Sequence, residues 1–122
     1  LARARAALTA RRGRLPPVAL VSDRHGDADS AALLDRLEVT ERINLSSALK
    51  FAVLAEGGAD VYPRLAPTMA WDTAAGQAIL SAAGGLTLDR TGRPMRYRAH
   101  GPLRNAGFVA MADPALAAKL AL

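Results

Sequence analysis

Three short stretches combine the residue types that phosphate and metal chemistry require: Ser22-Asp23-Arg24-His25, Ser46-Ser47-Ala48-Leu49-Lys50 and Trp71-Asp72-Thr73-Ala74-Ala75-Gly76. Magnesium takes one or two carboxylates together with phosphate oxygens, so Asp72 is a candidate ligand for Mg2+. An aspartate at a helix start also caps free backbone N–H groups, which is worth about 1 kcal/mol, and on position alone capping is the commoner role. Ala74, Ala75 and Gly76 would leave that helix start bare enough for a ligand to approach the backbone. Lys50 lies in an apolar helical run, where a lysine commonly snorkels its charge to water. His25, in a turn beside acids, is by default a solvated histidine.

These stretches fall where strands should give way to helices, the junctions at which α/β sheets bind ligands. Val18-Ala19-Leu20-Val21 reads as a buried strand, and Ala31, Leu33, Leu34 and Leu37 recur at helical spacing after Asp27, Asp29 and Ser30. Arg42 to Leu45 suggests a second strand, and Ser47 to Glu56 a helix stopped by Gly57-Gly58. Asp60-Val61-Tyr62 is a brief strand, with Asp60 structural. Asp72 should start a helix that ends at Gly84-Gly85 and packs through Ala75, Ala78, Ile79 and Ala82. Trp71 and Phe51 read as core residues. Leu86 to Leu88 is a strand, Asp89 to Gly92 a turn, and Arg93 to Arg104 a loop with an edge strand. Gly107 to Met111 is the last strand, followed by a helix from Pro114 to Leu122 capped by Asp113. Alternation of strands and helices predicts an α/β fold with a largely parallel sheet.

The 122 residues fit one domain or one lobe, and the 51% of apolar residues can bury a real core. The absence of cysteine excludes a disulfide framework or a thiolate metal site and suits a reducing cytoplasm. No apolar run approaches the roughly 18 residues of a membrane span. The expected location is therefore cytoplasmic, at most peripheral to the cytoplasmic face of the inner membrane. The net charge of +5 comes from Arg3, Arg5, Arg11, Arg12 and Arg14, because the eleven basic residues beyond Leu15 face all eleven acidic ones. Residues 1–17 are thus an arginine-rich leader or connector, read as solvated, ahead of a lobe at 18–122. With 4% aromatics the chain lacks stacking platforms for single strands, so no nucleic-acid partner is expected. Opening on Leu1 rather than methionine suggests a start inside a longer reading frame.

The runs Ser46-Ser47-Ala48-Leu49-Lys50-Phe51, Ala55-Glu56-Gly57, Ala59-Asp60-Val61-Tyr62-Pro63-Arg64, Pro67-Thr68 and Trp71-Asp72-Thr73-Ala74-Ala75-Gly76-Gln77-Ala78 carry a resemblance. Together they resemble the second half of the CysQ-type 3'(2'),5'-bisphosphate nucleotidases, within the inositol monophosphatase-like superfamily of metal-dependent phosphatases. The resemblance extends from about Val18 to Ala112. Its Trp-Asp-x-Ala-Ala-Gly element marks the superfamily. Tyr62-Pro63-Arg64 before Pro67-Thr68, with Lys50 upstream, points to the nucleotidase branch.

The resemblance implies the carboxy-terminal lobe of the sugar-phosphatase fold, a small, mostly parallel sheet flanked by helices. It implies hydrolysis of 3'-phosphoadenosine 5'-phosphate to AMP in sulfur assimilation, by in-line attack of a water activated by Mg2+. By position, Asp72 would bind a catalytic metal beside the ribose and the scissile phosphate. Lys50 would contact the nucleotide, with Ser47 lining the same pocket, and Ser22 and His25 would meet the substrate after the first strand. Arg64, with its planar fork of donors, suits the second, retained phosphate. Two departures stand out. Ser46 and Ala48 replace the glycine and second hydroxyl of the family's Gly-Ser-Ser segment. The family's Glu and Asp-Pro-Ile/Leu-Asp-Gly-Thr motif has no counterpart, since Asp27-Ala28-Asp29-Ser30 lacks its spacing. The expected partner is therefore an amino-terminal half of the same enzyme that supplies those groups, and the chain alone should be inactive. An inositol or sugar monophosphatase lobe and a non-catalytic truncated domain are the alternatives.

Overall fold

The apolar run Val18–Val21 forms strand β1, and its pleat divides it between two cores. Val18 and Leu20 enter one, with Phe51, Leu54, Tyr62, Leu80, Phe108 and Ala110. Ala19 enters the other, with Leu33, Leu34, Val61, Val109, Met111, Leu116 and Leu120. A strand covered on both faces needs apolar residues at consecutive positions, which is why these strands show no polar alternation. In this computed structural model, residues 9–12, 16–22, 27–46, 49–97, 103–120 and 122 are described.

After β1 come α1 (Ala28–Arg36), β2 (Glu41–Asn44), α2 (Leu49–Ala55), β3 (Val61–Arg64), β4 (Thr68–Met69) and α3 (Ala70–Ala82). The chain continues through β5 (Leu86–Asp89), β6 (Arg104–Asn105) and β7 (Phe108–Met111) to a 3₁₀ helix at Pro114–Lys119. Five strands form one sheet in the order β2-β1-β3-β7-β5, and β4 pairs with β6 separately. β1 is parallel to β2 and β3, whereas β7 is antiparallel to both β3 and β5. The sheet is mixed: four strands share one direction, but insertion of β7 makes the pairings on both of its sides antiparallel. The α1 start follows its sequence signal, with Asp27 accepting from the Ser30 backbone N–H at 2.7 Å. The last helix is 3₁₀ rather than α and is capped by Asp113, as expected.

Helix α3 differs most from expectation. It begins at Ala70, so Asp72 lies within the first turn instead of capping it, and the N-cap is Met69 with no side-chain bond. Its inward residues are Thr73 and Leu80, while Ala75, Ala78 and Ala82 are exposed and Ile79 is 46% exposed. Trp71, expected in the core, is 67% exposed. The helix is apolar nearly all round, so periodicity could not say which side meets the sheet. Gly76 decides it. A Cβ there would stand 2.7 Å from ring atoms of Phe51. The bare surface of Gly76 is therefore spent on helix packing, not on ligand approach.

Asp60 ties the amino edge of the sheet together. Its carboxylate, 3% exposed as a residue, accepts from Arg11 Nε at 2.8 Å, Arg11 Nη2 at 2.7 Å and the Val18 backbone N–H at 2.6 Å. Its backbone N–H donates to Val18 O and its carbonyl accepts from Ala112 N, each at 2.9 Å. Arg11 is thus an anchor, not a solvated charge, and the carboxylate raises its already high pKa. Beside it, Ala10 N donates to Ala83 O at 3.0 Å, at the end of α3.

Removing one partner of a buried pair strands the other charge. Asp60→Ala should lower stability by about 3–5 kcal/mol, measured by urea unfolding of the purified chain. Gly76→Ala should cost about 1–3 kcal/mol in the same assay through overpacking against Phe51, despite the better helix propensity of alanine.

Candidate functional site

β1, β2 and β3 run in parallel, so their carboxy ends share one edge of the sheet. The chain leaves each of these strands toward the start of the next helix: Asp27 for α1, Leu49 for α2 and Ala70 for α3. The register Ala19↔Val61 places Ser22, just beyond β1, level with Arg64 at the end of β3. Both line a cleft of about 160 Å³, whose apolar walls include Val21, Leu34 and Pro63 and to which Arg42 also contributes. Arg42 is engaged with Asp35 at 2.8 Å.

The backbone next to Arg64 is held from three sides. Leu65 N donates to Ser30 Oγ at 2.9 Å, and Ser30 Oγ donates to Asp27 Oδ2 at 2.7 Å. Leu65 O accepts from Arg90 Nη1 at 2.6 Å. Gly107, at φ +140, comes so near that a Cβ would lie 2.8 Å from the same carbonyl oxygen. Arg64 therefore projects from a fixed platform. Its Nε is buried and has no hydrogen-bond partner among the described residues. A buried donor in that state costs about 1–3 kcal/mol, more when charged, and an anionic acceptor would remove the cost.

Lys50 does not snorkel. It is fully buried in the first turn of α2, and its Nζ lies 4.9 Å from the centroid of the Tyr62 ring. A desolvated ammonium over an aromatic face gains about 2 kcal/mol or more from the ring quadrupole. Burial pushes the Tyr62 phenol up, the adjacent Arg64 guanidinium pulls it back, and the charge of Asp72 adds a smaller rise. Lys50, Tyr62, Arg64 and Asp72 thus form one electrostatic neighbourhood. Asp72 itself is exposed in the first turn of α3, where the helix dipole favours a negative charge.

The turn carrying Asp72 is fixed by its neighbour Thr73. The Thr73 hydroxyl lies 2.6 Å from Tyr97 Oη and accepts from Asn105 Nδ2 at 3.0 Å. Asn105 Nδ2 also donates to Thr68 Oγ1 at 3.2 Å, which joins the β4–β6 ribbon to the helix start. Burial raises the Tyr97 phenol pKa, and the Thr73 bond opposes that rise. Sequence reasoning assigned no site role to Tyr62, Tyr97, Asn105 or Arg90. For Tyr62 a signal existed, since it alternates with Arg64 on one strand face. For the others, contacts between distant segments left none.

Of the residues expected at the site, Ser22 and Arg64 line the cleft, Lys50 approaches the Tyr62 ring, Asp72 lies in the exposed first turn of α3, and His25 and Ser47 lie outside the described residues. No group of three or more His, Cys, Asp or Glu side chains converges among the described residues. Asp72 offers one carboxylate and Asp27 is committed to Ser30, so the described residues do not by themselves make a magnesium site.

Comparison with known proteins gives consistent results. The model of the inositol monophosphatase family matches residues 14–121. The 3'(2'),5'-bisphosphate nucleotidase CysQ of Escherichia coli K12 is 41% identical over 93 residues, which cover 76% of this chain and 38% of that protein. The CysQ crystal structure from Bacteroides thetaiotaomicron superposes with a TM-score of 0.73 at 36% identity, covering 86% of this chain and 40% of the other. An inositol monophosphatase from Zymomonas mobilis gives a TM-score of 0.70 at 17% identity over 94% of this chain and 47% of its own, a likeness of fold alone. The chain spans about 38% of the length of the CysQ relative from Escherichia coli.

Proposed function

Because the chain belongs to the inositol monophosphatase family, we propose that it forms the substrate-binding lobe of a Mg2+-dependent 3'(2'),5'-bisphosphate nucleotidase. The reaction is hydrolysis of 3'-phosphoadenosine 5'-phosphate to AMP: water adds to the 3'-phosphorus, and the bond from phosphorus to the ribose oxygen breaks. The observation that carries this reading is the buried Nε of Arg64, without a hydrogen-bond partner among the described residues, in a cleft at the carboxy ends of β1 and β3. Lys50 lies over the ring of Tyr62, which stands two residues before Arg64 on the same strand, and the charge of Asp72 acts on the same phenol. Two fixed cations suit a ligand with two phosphates, and an exposed carboxylate beside them suits a divalent ion.

In this reading Arg64 holds the retained phosphate, and Lys50 and Ser22 contact the nucleotide, together with His25 and Ser47 from outside the described residues. Asp72 supplies one ligand to Mg2+ beside the ribose. The family is metal-dependent, and the remaining carboxylates would come from an amino-terminal half of the enzyme. The exposed apolar stripe of α3, formed by Trp71, Ala75, Ala78, Ile79 and Ala82, supports such a partner. It runs from Asp72 to the point where Ala10 meets Ala83. No helix among the described residues is long and apolar enough to cross a membrane, and the proposed location is cytoplasmic.

The purified 122-residue chain should show no appreciable phosphatase activity, and robust turnover by it would overturn this division of the site. The complete enzyme should hydrolyse 3'-phosphoadenosine 5'-phosphate in preference to inositol 1-phosphate; the reverse preference would remove the nucleotidase reading. In the complete enzyme Asp72→Asn should lower kcat by about 100-fold or more, since even partners of metal ligands cost 10–100-fold. Its stability should fall by no more than about 1 kcal/mol, because Asp72 is exposed and the loss is that of a charge favoured by the helix dipole.

A further inference from the structure

Arg64 is the last residue of β3, and the antiparallel ladder to β7 ends with it at the pair Arg64↔Phe108. Beyond that pair the backbone is held by side chains instead. Ser30 Oγ accepts from Leu65 N at 2.9 Å and donates to Asp27 Oδ2 at 2.7 Å, while Asp27 Oδ1 accepts from Ser30 N at 2.7 Å. Chemistry fixes the direction of these bonds. A backbone N–H only donates and an ionised carboxylate only accepts, so the one hydroxyl proton of Ser30 points to Asp27 and a lone pair to Leu65. On the other side Arg90 Nη1 donates to Leu65 O at 2.6 Å and Arg90 Nη2 to Asp29 Oδ2 at 3.1 Å. Asp27 and Asp29, at the start of α1, thus each anchor one arm, and the two arms close on the residue that follows Arg64.

From this geometry we propose that Ser30 is a positioning residue for phosphate recognition: by holding the Leu65 N–H it fixes the backbone from which Arg64 reaches the cleft, with Arg90 as the opposing arm on the Leu65 carbonyl. The proposal rests on the reading of Arg64 as the holder of the retained phosphate. A guanidinium stands at the end of a long side chain, so a small rotation of its backbone displaces it far. Its Nε is buried without a hydrogen-bond partner among the described residues, so that atom is placed by the backbone and not by a bond of its own. Ordering an arginine only on binding subtracts from affinity, and a backbone already clamped on both sides of Leu65 reduces that cost. The clamp is sheltered from water, with Ser30 8% and Leu65 6% exposed, and a chain of bonds ending on a charge strengthens each member. Ser30 also lines the cleft, but its proton is committed to Asp27, and its effect passes through Leu65 to Arg64.

A double-mutant cycle in the complete enzyme tests this, with 3'-phosphoadenosine 5'-phosphate as substrate. Ser30→Ala removes the acceptor for the Leu65 N–H, and KM should rise about 5- to 10-fold, the scale of losing one hydrogen bond, while kcat stays within about twofold. The melting temperature should also fall, because a buried N–H is left without a partner. That loss is structural and should appear with or without Arg64; the rise in KM should not. In an Arg64→Ala background, which by itself raises KM, adding Ser30→Ala should change KM by less than about twofold, because the group it positions has gone. Should Ser30→Ala fail to fold, Arg90→Ala, on the exposed arm, carries the same cycle, with a severalfold rise in KM only where Arg64 is present. If the variant that folds leaves KM unchanged, or raises it by the same factor in both backgrounds, the positioning role is wrong although the site reading stands. An Arg64→Ala enzyme with normal KM for the bisphosphate would instead overturn the site reading, and the inference with it.

Discussion

The carboxylate of Asp60 is the constraint on which the remaining geometry depends. It accepts three hydrogen bonds, two from Arg11 and one from the first residue of β1, while its backbone bonds to Val18 and to Ala112 after β7. Three strands are thereby fixed at their amino or carboxy ends around one buried charge. Because side chains alternate with a period of two, a slip of one residue between β1 and β3 would turn every side chain to the wrong core. With Asp60 setting that register, Ser22 and Arg64 come level at the opposite edge. A charge buried at one end of the sheet therefore determines which residues meet at the other.

A second constraint acts through close packing. Phe51, on α2, sits between Tyr62 and Phe108 below and the bare surface of Gly76 above. The absence of a side chain at Gly76 lets α3 settle directly on that ring, and the depth of the helix then fixes where its first turn lies relative to Tyr62. The Thr73–Tyr97–Asn105 bonds set the remaining freedom, the rotation of that turn. The distance between Asp72 and the two cations is consequently a product of core packing, so small changes remote from the edge should be felt there.

Much of this was visible in the residues and some was not, for physical reasons. Strand β1, the Asp27 cap and the Asp89 turn follow from local rules, because apolar runs and capping residues act within a few positions, whereas the partners that make Asp60 structural, Arg11 and Val18, are distant in the chain. The sheet-edge location of Ser22, Lys50, Arg64 and Asp72 follows from strand-to-helix alternation and from the resemblance carried by the Tyr62 and Trp71 segments. Helix α3 was misread because alanines on all sides give no polar contrast, and the exposed Trp71 and the buried Thr73 are set by tertiary contact. The β4–β6 ribbon was missed because two-residue strands such as Thr68–Met69 and Arg104–Asn105 carry almost no propensity signal. Lys50 was ambiguous for a similar reason: whether a lysine in an apolar helix snorkels or stays inside depends on an aromatic face twelve residues away.

The charge at the proposed site is one-sided, and this has a consequence for how the enzyme would assemble. Among the described residues, Lys50 and Arg64 bring positive charge to the site while no three carboxylate or imidazole groups converge, so that part of the lobe is complementary to phosphate but poor in ligands for a divalent ion. A partner rich in carboxylates has the opposite deficiency. The bisphosphate, which needs fixed cations for one phosphate and metal for the other, would then lie at the seam between them, next to the apolar stripe that begins at Trp71. A ligand held by both sides binds only the closed arrangement, and it stabilises that arrangement by RT ln(1 + [L]/Kd). On the proposed reading, substrate affinity and the closure of the two halves draw on the same free energy. A mutation that merely loosens the α3 stripe should therefore weaken substrate binding without touching any residue that contacts the substrate.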